Sequence, residues 1–159
     1  MIDIKTMTVL IVDDVLSTRK LIQKLLLNMD YGKNFLFAES GEKTLEVMHE
    51  EEVDLVLLDF HMGGMTGVET LSRIREDRNL RDIPVIMVTT QAVSDYVAEA
   101  GESEIDAYVL KPINVSLLKE KVSMVVHKAN NPPPMVFHLK RAKGFEESGD
   151  LNAAIKEAR

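Results

Sequence analysis

A chain of 159 residues with 45% hydrophobic content has room for one domain with a real core and a short appendage, and its composition is not that of a disordered or fibrous protein. The formal net charge of -7 argues against a general nucleic-acid binder, which needs clustered lysine and arginine, and the absence of cysteine excludes disulfide frameworks, thiolate-bound zinc and thiol catalysis. The N-terminal run MIDIKTMTVLIVDD is too short and too acidic for a signal peptide or a membrane span, so the expectation is a cytoplasmic protein that engages neither nucleic acid nor membrane.

The first apolar run, TVLIVD (8–13), reads as a strand. In STRKLIQKLLLNM, Leu21, Ile22, Leu25, Leu26 and Met29 fall on one helical stripe. NFLFA (34–38) is the second strand, and the helix of GEKTLEVMHEEE turns Leu45 and Met48 inward and ends in the solvated run Glu50–Glu52. VDLVLLD (53–59) is the third strand, followed by GVETLSRIRED, where Val68, Leu71 and Ile74 share a face. PVIMVT (84–89) and AYVLK (107–111) are the fourth and fifth strands, with a further helix predicted over 94–103. The last helix takes Asn114 as its N-cap and packs through Leu118, Val122 and Val125. Most of the strands lack polar alternation, as expected where both faces of a parallel sheet are covered. The strict alternation of strand and helix therefore predicts an α/β domain with a doubly wound parallel sheet. The methionines at 7, 29, 48 and 87 sit at core positions, whereas His49, His127 and His138 belong on the surface.

In such a sheet ligands gather outside the carboxyl ends of the strands. Those ends carry Asp13-Asp14, Asp59, Thr89-Thr90 and Lys111-Pro112. Taken singly, adjacent aspartates between a strand and a helix are as often a turn and a cap as a site. Taken together, three carboxylates in one corner repel one another unless a cation sits among them. An all-oxygen donor set suits a hard ion that keeps some of its water, and Mg²⁺ is the natural candidate. A lysine facing that corner neutralises a further anion, and the Thr89 hydroxyl can hydrogen-bond it. Such a site suits a phosphoryl group, with one carboxylate as its covalent acceptor.

Together VLIVDD, LVLLDFHM with the following MTG, VIMVTT and YVLKP resemble the receiver domain of bacterial two-component response regulators, over roughly residues 6–128. The single-domain chemotaxis regulator is the nearest type. The resemblance implies a flavodoxin-like (βα)5 fold with a five-stranded parallel sheet in the order 2-1-3-4-5. It implies Asp59 as phospho-acceptor, with Asp14, Asp59 and the backbone carbonyl of His61 holding Mg²⁺ and Asp13 acting mainly through water. Lys111 would pair with the phosphoryl group and Thr89 hydrogen-bond it. Tyr108 matches an aromatic switch, and Pro112 a proline preceded by a cis peptide. The implied donor is a phosphohistidine on a sensor histidine kinase or a phosphotransfer protein. The implied output is a downstream protein target meeting the face of the fourth helix, fifth strand and last helix, roughly 94–128. The chain would then be a signalling switch that catalyses its own phosphorylation and dephosphorylation, and not an enzyme.

The sequence departs from that pattern in three places. Met62-Gly63-Gly64 stands where Met-Pro-Gly is common, which predicts a looser loop. Thr90 replaces a usual alanine, adding bulk beside the site, and Glu104-Ile105 replaces a Gly-Ala pair near the end of the fourth helix. The resemblance implies that His61 and Gln91, together with Thr90, occupy positions flanking the site that modulate how fast the phosphoryl group is lost. Two other readings compete. A haloacid-dehalogenase-like phosphatase needs a second aspartate two residues after the nucleophile, where this chain has His61. An inert receiver within an interaction scaffold is opposed by the presence of every charged site residue.

Beyond the receiver region (1–128), NNPPPM lies within a linker, 129–135, that can neither extend a helix nor enter a sheet. Residues 136–159 return to helical composition. Ala142, Phe145, Gly149, Leu151 and Ala154 resemble the opening of a tetratricopeptide repeat, which implies a fragment of a longer regulator with a repeat-based binding array.

Overall fold

A computed structural model of the chain describes residues 1–90 and 105–132. The helix predicted over 94–103, Gln91, Glu104 and the segment 136–159 lie outside the described residues. The chain divides into two units after Ala129, and the first, Met1–Ala129, carries the fold.

Five strands form one parallel sheet: β1 (Thr8–Val12), β2 (Asn34–Ala38), β3 (Leu55–Asp59), β4 (Val85–Thr89) and β5 (Ala107–Leu110). Their order is β2-β1-β3-β4-β5, the flavodoxin-like arrangement expected from the sequence. The described helices are α1 (Leu16–Asn28), α2 (Gly41–Glu50), α3 (Gly67–Glu76) and α4 (Val115–Asn130). β2 matches its apolar run, β1 and β5 stop one residue short of theirs at the polar Asp13 and Lys111, and β3 and β4 start later than theirs but keep Asp59 and Thr89 as their last residues.

The sheet separates two apolar layers. On one face Leu10, Val56, Leu58, Val85 and Met87 pack with Val47 and Met48 of α2 and Leu71 and Ile74 of α3. On the other, Val9, Ile11, Leu55, Leu57 and Ile86 pack with Ile22 and Leu26 of α1 and with Leu118, Val122 and Val125 of α4. Removing one such leucine or isoleucine from water stabilises the fold by about 1.5–3 kcal/mol. This two-sided burial explains why β3 and β4 are apolar throughout and are buried at every position, including the polar tips Asp59 and Thr89.

One part of the predicted α1 stripe is corrected. Leu21 is 47% exposed, while Ile22 and Leu26 are buried. The helix begins at Leu16, and the stripe that meets the sheet is narrower than the run of leucines suggests. Three helix starts are capped as local chemistry requires. Ser40 Oγ accepts from Lys43 N (3.0 Å) at α2. Thr66 and Glu69 form a reciprocal capping box at α3. Asn114 Oδ1 accepts from Leu117 N (3.0 Å) at α4. The start of α1 is different: Val15 occupies its N-cap and offers no side-chain bond.

Candidate functional site

Strand register brings the polar tips to one edge. Val12 pairs with Leu58, so Asp13 leaves β1 level with Asp59 at the end of β3. Asp59 in turn pairs with Val88, and Thr89 with Leu110, which carries Thr89 and Lys111 to the same rim. Asp13, Asp14 and Asp59 each offer a carboxylate oxygen, and these oxygens all lie within 4.8 Å of one another.

The three aspartates are not equivalent. Asp13 is 1% and Asp59 4% exposed, whereas Asp14 is open to solvent. Asp13 does serve as a turn residue, since its Oδ1 accepts from Val15 N at 2.9 Å. Its other oxygen, Oδ2, accepts from Lys111 Nζ at 3.0 Å, so the turn and the charged site share one side chain. Asp59 Oδ1 accepts from Lys111 Nζ at 3.3 Å and, more weakly, from His61 N at 3.4 Å.

Electrostatics follow from this crowding. Burial, and after it the negative charge of Asp13, pushes the Asp59 carboxyl above the ordinary aspartate range, against the pull of Lys111. Burial also works against the Lys111 ammonium. The hydrogen bond to Asp13 and the charges of Asp59 and Asp13 outweigh it, and the lysine pKa lies above its ordinary value.

The other predicted residues divide into two groups. Thr89 is fully buried at the end of β4, and its carbonyl accepts from Lys111 N at 2.6 Å. The Lys111–Pro112 peptide bond is cis. Tyr108 lies half-buried on β5. His61 and Thr90 are exposed beside the rim, with the His61 ring edge-on to Phe60 at a centroid distance of 4.7 Å.

Two supporting residues were given no role in the sequence reading, although Gly67 is the glycine of the quoted MTG. Arg19 of α1 donates from Nη1 to the Asp13 carbonyl at 2.6 Å, fixing the turn beneath the carboxylates. Gly67, the first residue of α3, backs directly onto the acidic strand: a Cβ there would meet the Asp59 carbonyl oxygen at 2.5 Å. The signal for Gly67 was the MTG that follows the acidic strand, while Arg19 had none.

The donor set at this rim is oxygen only, three converging carboxylates of which two are bound by the Lys111 ammonium, and it fits a hard divalent cation such as Mg²⁺. None of the described helices is long and apolar enough to cross a membrane.

A family model for the response regulator receiver domain matches residues 9–123. The chain is 36% identical over 124 residues to the chemotaxis protein CheY of Pseudomonas aeruginosa, an alignment covering 78% of this chain and 99% of that relative. Among solved structures it is similar to the N-terminal domain of a response regulator receiver protein from Methanoculleus marisnigri, with 38% identity, a TM-score of 0.61 and coverage of 75% of this chain and 95% of that one. It is also similar to the Vibrio cholerae chemotaxis protein CheY4, with 25% identity, a TM-score of 0.69 and coverage of 76% and 98%.

Proposed function

The chain belongs to the response regulator receiver family, and from that membership we propose that it is a phospho-accepting switch in which Asp59 receives a phosphoryl group from a phosphohistidine on a sensor kinase or phosphotransfer protein. The observation that carries this reading is the surroundings of Asp59. It is a buried carboxylate at a strand tip, with two further carboxylates within 4.8 Å and an ammonium 3.3 Å away.

Asp59 Oδ1 is engaged by Lys111 and by the His61 amide, so Oδ2 is the oxygen we assign to the attack. An O–P bond forms from Oδ2 as the P–N bond to the donor imidazole breaks. The imidazole leaves with the bonding pair and is protonated from solvent. Lys111 supplies positive charge to the phosphoryl oxygens, and its bond to Asp13 orients it for that role. The hydroxyl of Thr89 donates to the phosphoryl group once it has arrived. Asp14 and Asp59, with the His61 carbonyl, would hold Mg²⁺, and Asp13 would contribute through water. When bound there, Mg²⁺ supplies charge that offsets the repulsion among the carboxylates and the incoming phosphoryl oxygens.

The acyl phosphate adds a dianion beneath Thr89. Drawing Thr89 towards it opens space that Tyr108 enters, which changes the surface formed by β5 and α4 and with it the affinity for a downstream protein. His61, Thr90 and Gln91 set how quickly water removes the group.

The test is intact-mass measurement after incubation of the full chain with a small acyl or amido phosphate and Mg²⁺. The native chain gains one phosphoryl group; Asp59→Asn and the chelated native protein gain none. A native chain that accepts neither from the small donor nor from a phosphorylated kinase, or an Asp59→Asn variant that still gains mass, overturns the reading.

A further inference from the structure

Tyr108 has a neighbour that neither the phosphoryl chemistry nor the sheet requires. Lys121 Nζ lies 5.6 Å from the centroid of its ring, within the range where a cation is attracted to the π face. The two residues come from opposite sides of the sheet. Tyr108 packs against the layer shared with α2 and α3. Leu118, Val122 and Val125 of α4 belong to the layer on the other face. Because β5 is an edge strand, the lysine stem can wrap around the rim of the sheet and set its ammonium over the ring.

Lys121 differs from the charged residues beside it. Lys119 and Glu120 are exposed, while Lys121 is half-buried. It takes part in none of the ion pairs among the described residues. The aromatic face is thus the interaction that accounts for the position of its charge.

We propose that Lys121 is a latch that holds the Tyr108 ring in its half-buried resting seat, and so sets the threshold at which the switch turns over. The latch rests on the reading of Tyr108 as the switching residue. Ring and ammonium separate when Tyr108 moves inward, so the attraction counts only towards the resting seat. Removing the charge while keeping the aliphatic stem raises the inward population by roughly two- to fivefold, the size expected of an exposed cation–π contact.

The experiment uses the unphosphorylated full chain with its tyrosine rings carbon-13 labelled, the Tyr108 resonance being assigned by its loss in Tyr108→Phe. Lys121→Met removes the cation and keeps the stem; Lys121→Arg keeps both. The Tyr108 ring resonance should move in Lys121→Met towards the position it takes in the phosphorylated native chain, and should stay near its native position in Lys121→Arg. A general loosening of α4 would move the Arg variant as well. An unmoved Tyr108 resonance in Lys121→Met, or equal shifts in Met and Arg, overturns the latch. A native Tyr108 resonance that ignores phosphorylation is a separate result: it removes the switching role, and with it the threshold, while a charge-specific shift in Lys121→Met would still establish the resting contact.

Discussion

Lys111 lies nearer to Asp13 than to Asp59: its Nζ is 3.0 Å from Asp13 Oδ2 and 3.3 Å from Asp59 Oδ1. A single ammonium therefore bridges two carboxylates that are almost wholly out of water, and it serves the fold before it serves any chemistry. Replacing it leaves two buried charges facing each other.

Lys111→Met should accordingly destabilise the protein in chelator at neutral pH. The cost is expected at about 2–3 kcal/mol, below that of breaking a fully buried pair because the lysine keeps some contact with solvent. Urea denaturation of native and variant chains measures it. Since the folded Lys111 pKa lies above the ordinary 10.5, its contribution is fully present below that pH and fades as pH rises through the folded value. The gap between the two proteins should narrow only in strong alkali.

Asp59 behaves in the opposite pH range. Its folded pKa is raised above the ordinary 3.8, so the folded chain holds that proton more tightly than the unfolded one. The stability this group contributes is complete below 3.8 and is lost as pH rises through the folded value. In chelator, Asp59→Asn should therefore gain on the native chain as pH increases and reach a plateau once Asp59 is ionised. At neutral pH the variant should be the more stable of the two. Thermal melts across the pH series test this, and a variant less stable than the native chain at neutral pH would contradict it.

Much of this architecture is legible in the chain itself. VLIVDD, LVLLD and VIMVT are continuous apolar runs because helices cover both faces of their strands, and their polar ends mark the rim because parallel strands share one direction. The helix stripes were legible too, except at Leu21, which lies at the margin of the face centred on Ile22 and Leu26. What the sequence hides are contacts across long separations. The preference of Lys111 for Asp13 spans 98 residues, and nothing local distinguishes it from a pairing with Asp59 alone. The contact of Arg19 with the Asp13 carbonyl is hidden for another reason, because a backbone acceptor leaves no residue signature. The ring contact of Lys121 depends on a long side chain turning an edge, which no periodicity encodes.

Arg75 shows how much rests on such a contact. Its Nη1 donates to the carbonyls of Arg81 and Ile83, both at 2.8 Å, and its Nη2 donates to Asp106 Oδ2 at 2.9 Å. That same oxygen accepts from Val85 N at 2.8 Å, so one guanidinium ties α3 to the starts of β4 and β5. Arg75→Ala should cost about 2–4 kcal/mol, and Arg75→Lys should recover little, because an ammonium cannot span the same acceptors. Chemical denaturation of both variants gives the comparison.

The two glycines after Met62 should respond differently to substitution. Gly64 has φ +73°, where a side chain is strained, and Gly63 has open space around its Cβ position. Gly63→Ala should be neutral or stabilise by about 0.4–1 kcal/mol through the unfolded chain, and Gly64→Ala should destabilise by about 1 kcal/mol or more. Equal effects at both positions in thermal melts would show that the loop does not hold this conformation.

The loop that carries these glycines is fastened at both ends. Phe60 N donates to Val88 O at 3.0 Å, and Gly67 N donates to Phe60 O at 3.0 Å, so the chain leaves the sheet at Phe60 and closes back onto the same residue as α3 begins. The span between is a closed handle, with Met62 as its one buried grip and His61, Gly63 and Gly64 facing outward. The handle touches the carboxylate at its root through a backbone group, the His61 amide that donates to Asp59 Oδ1 at 3.4 Å, so a change of side chain there leaves that tie in place. Evolution can alter what approaches Asp59 there without disturbing where Asp59 stands.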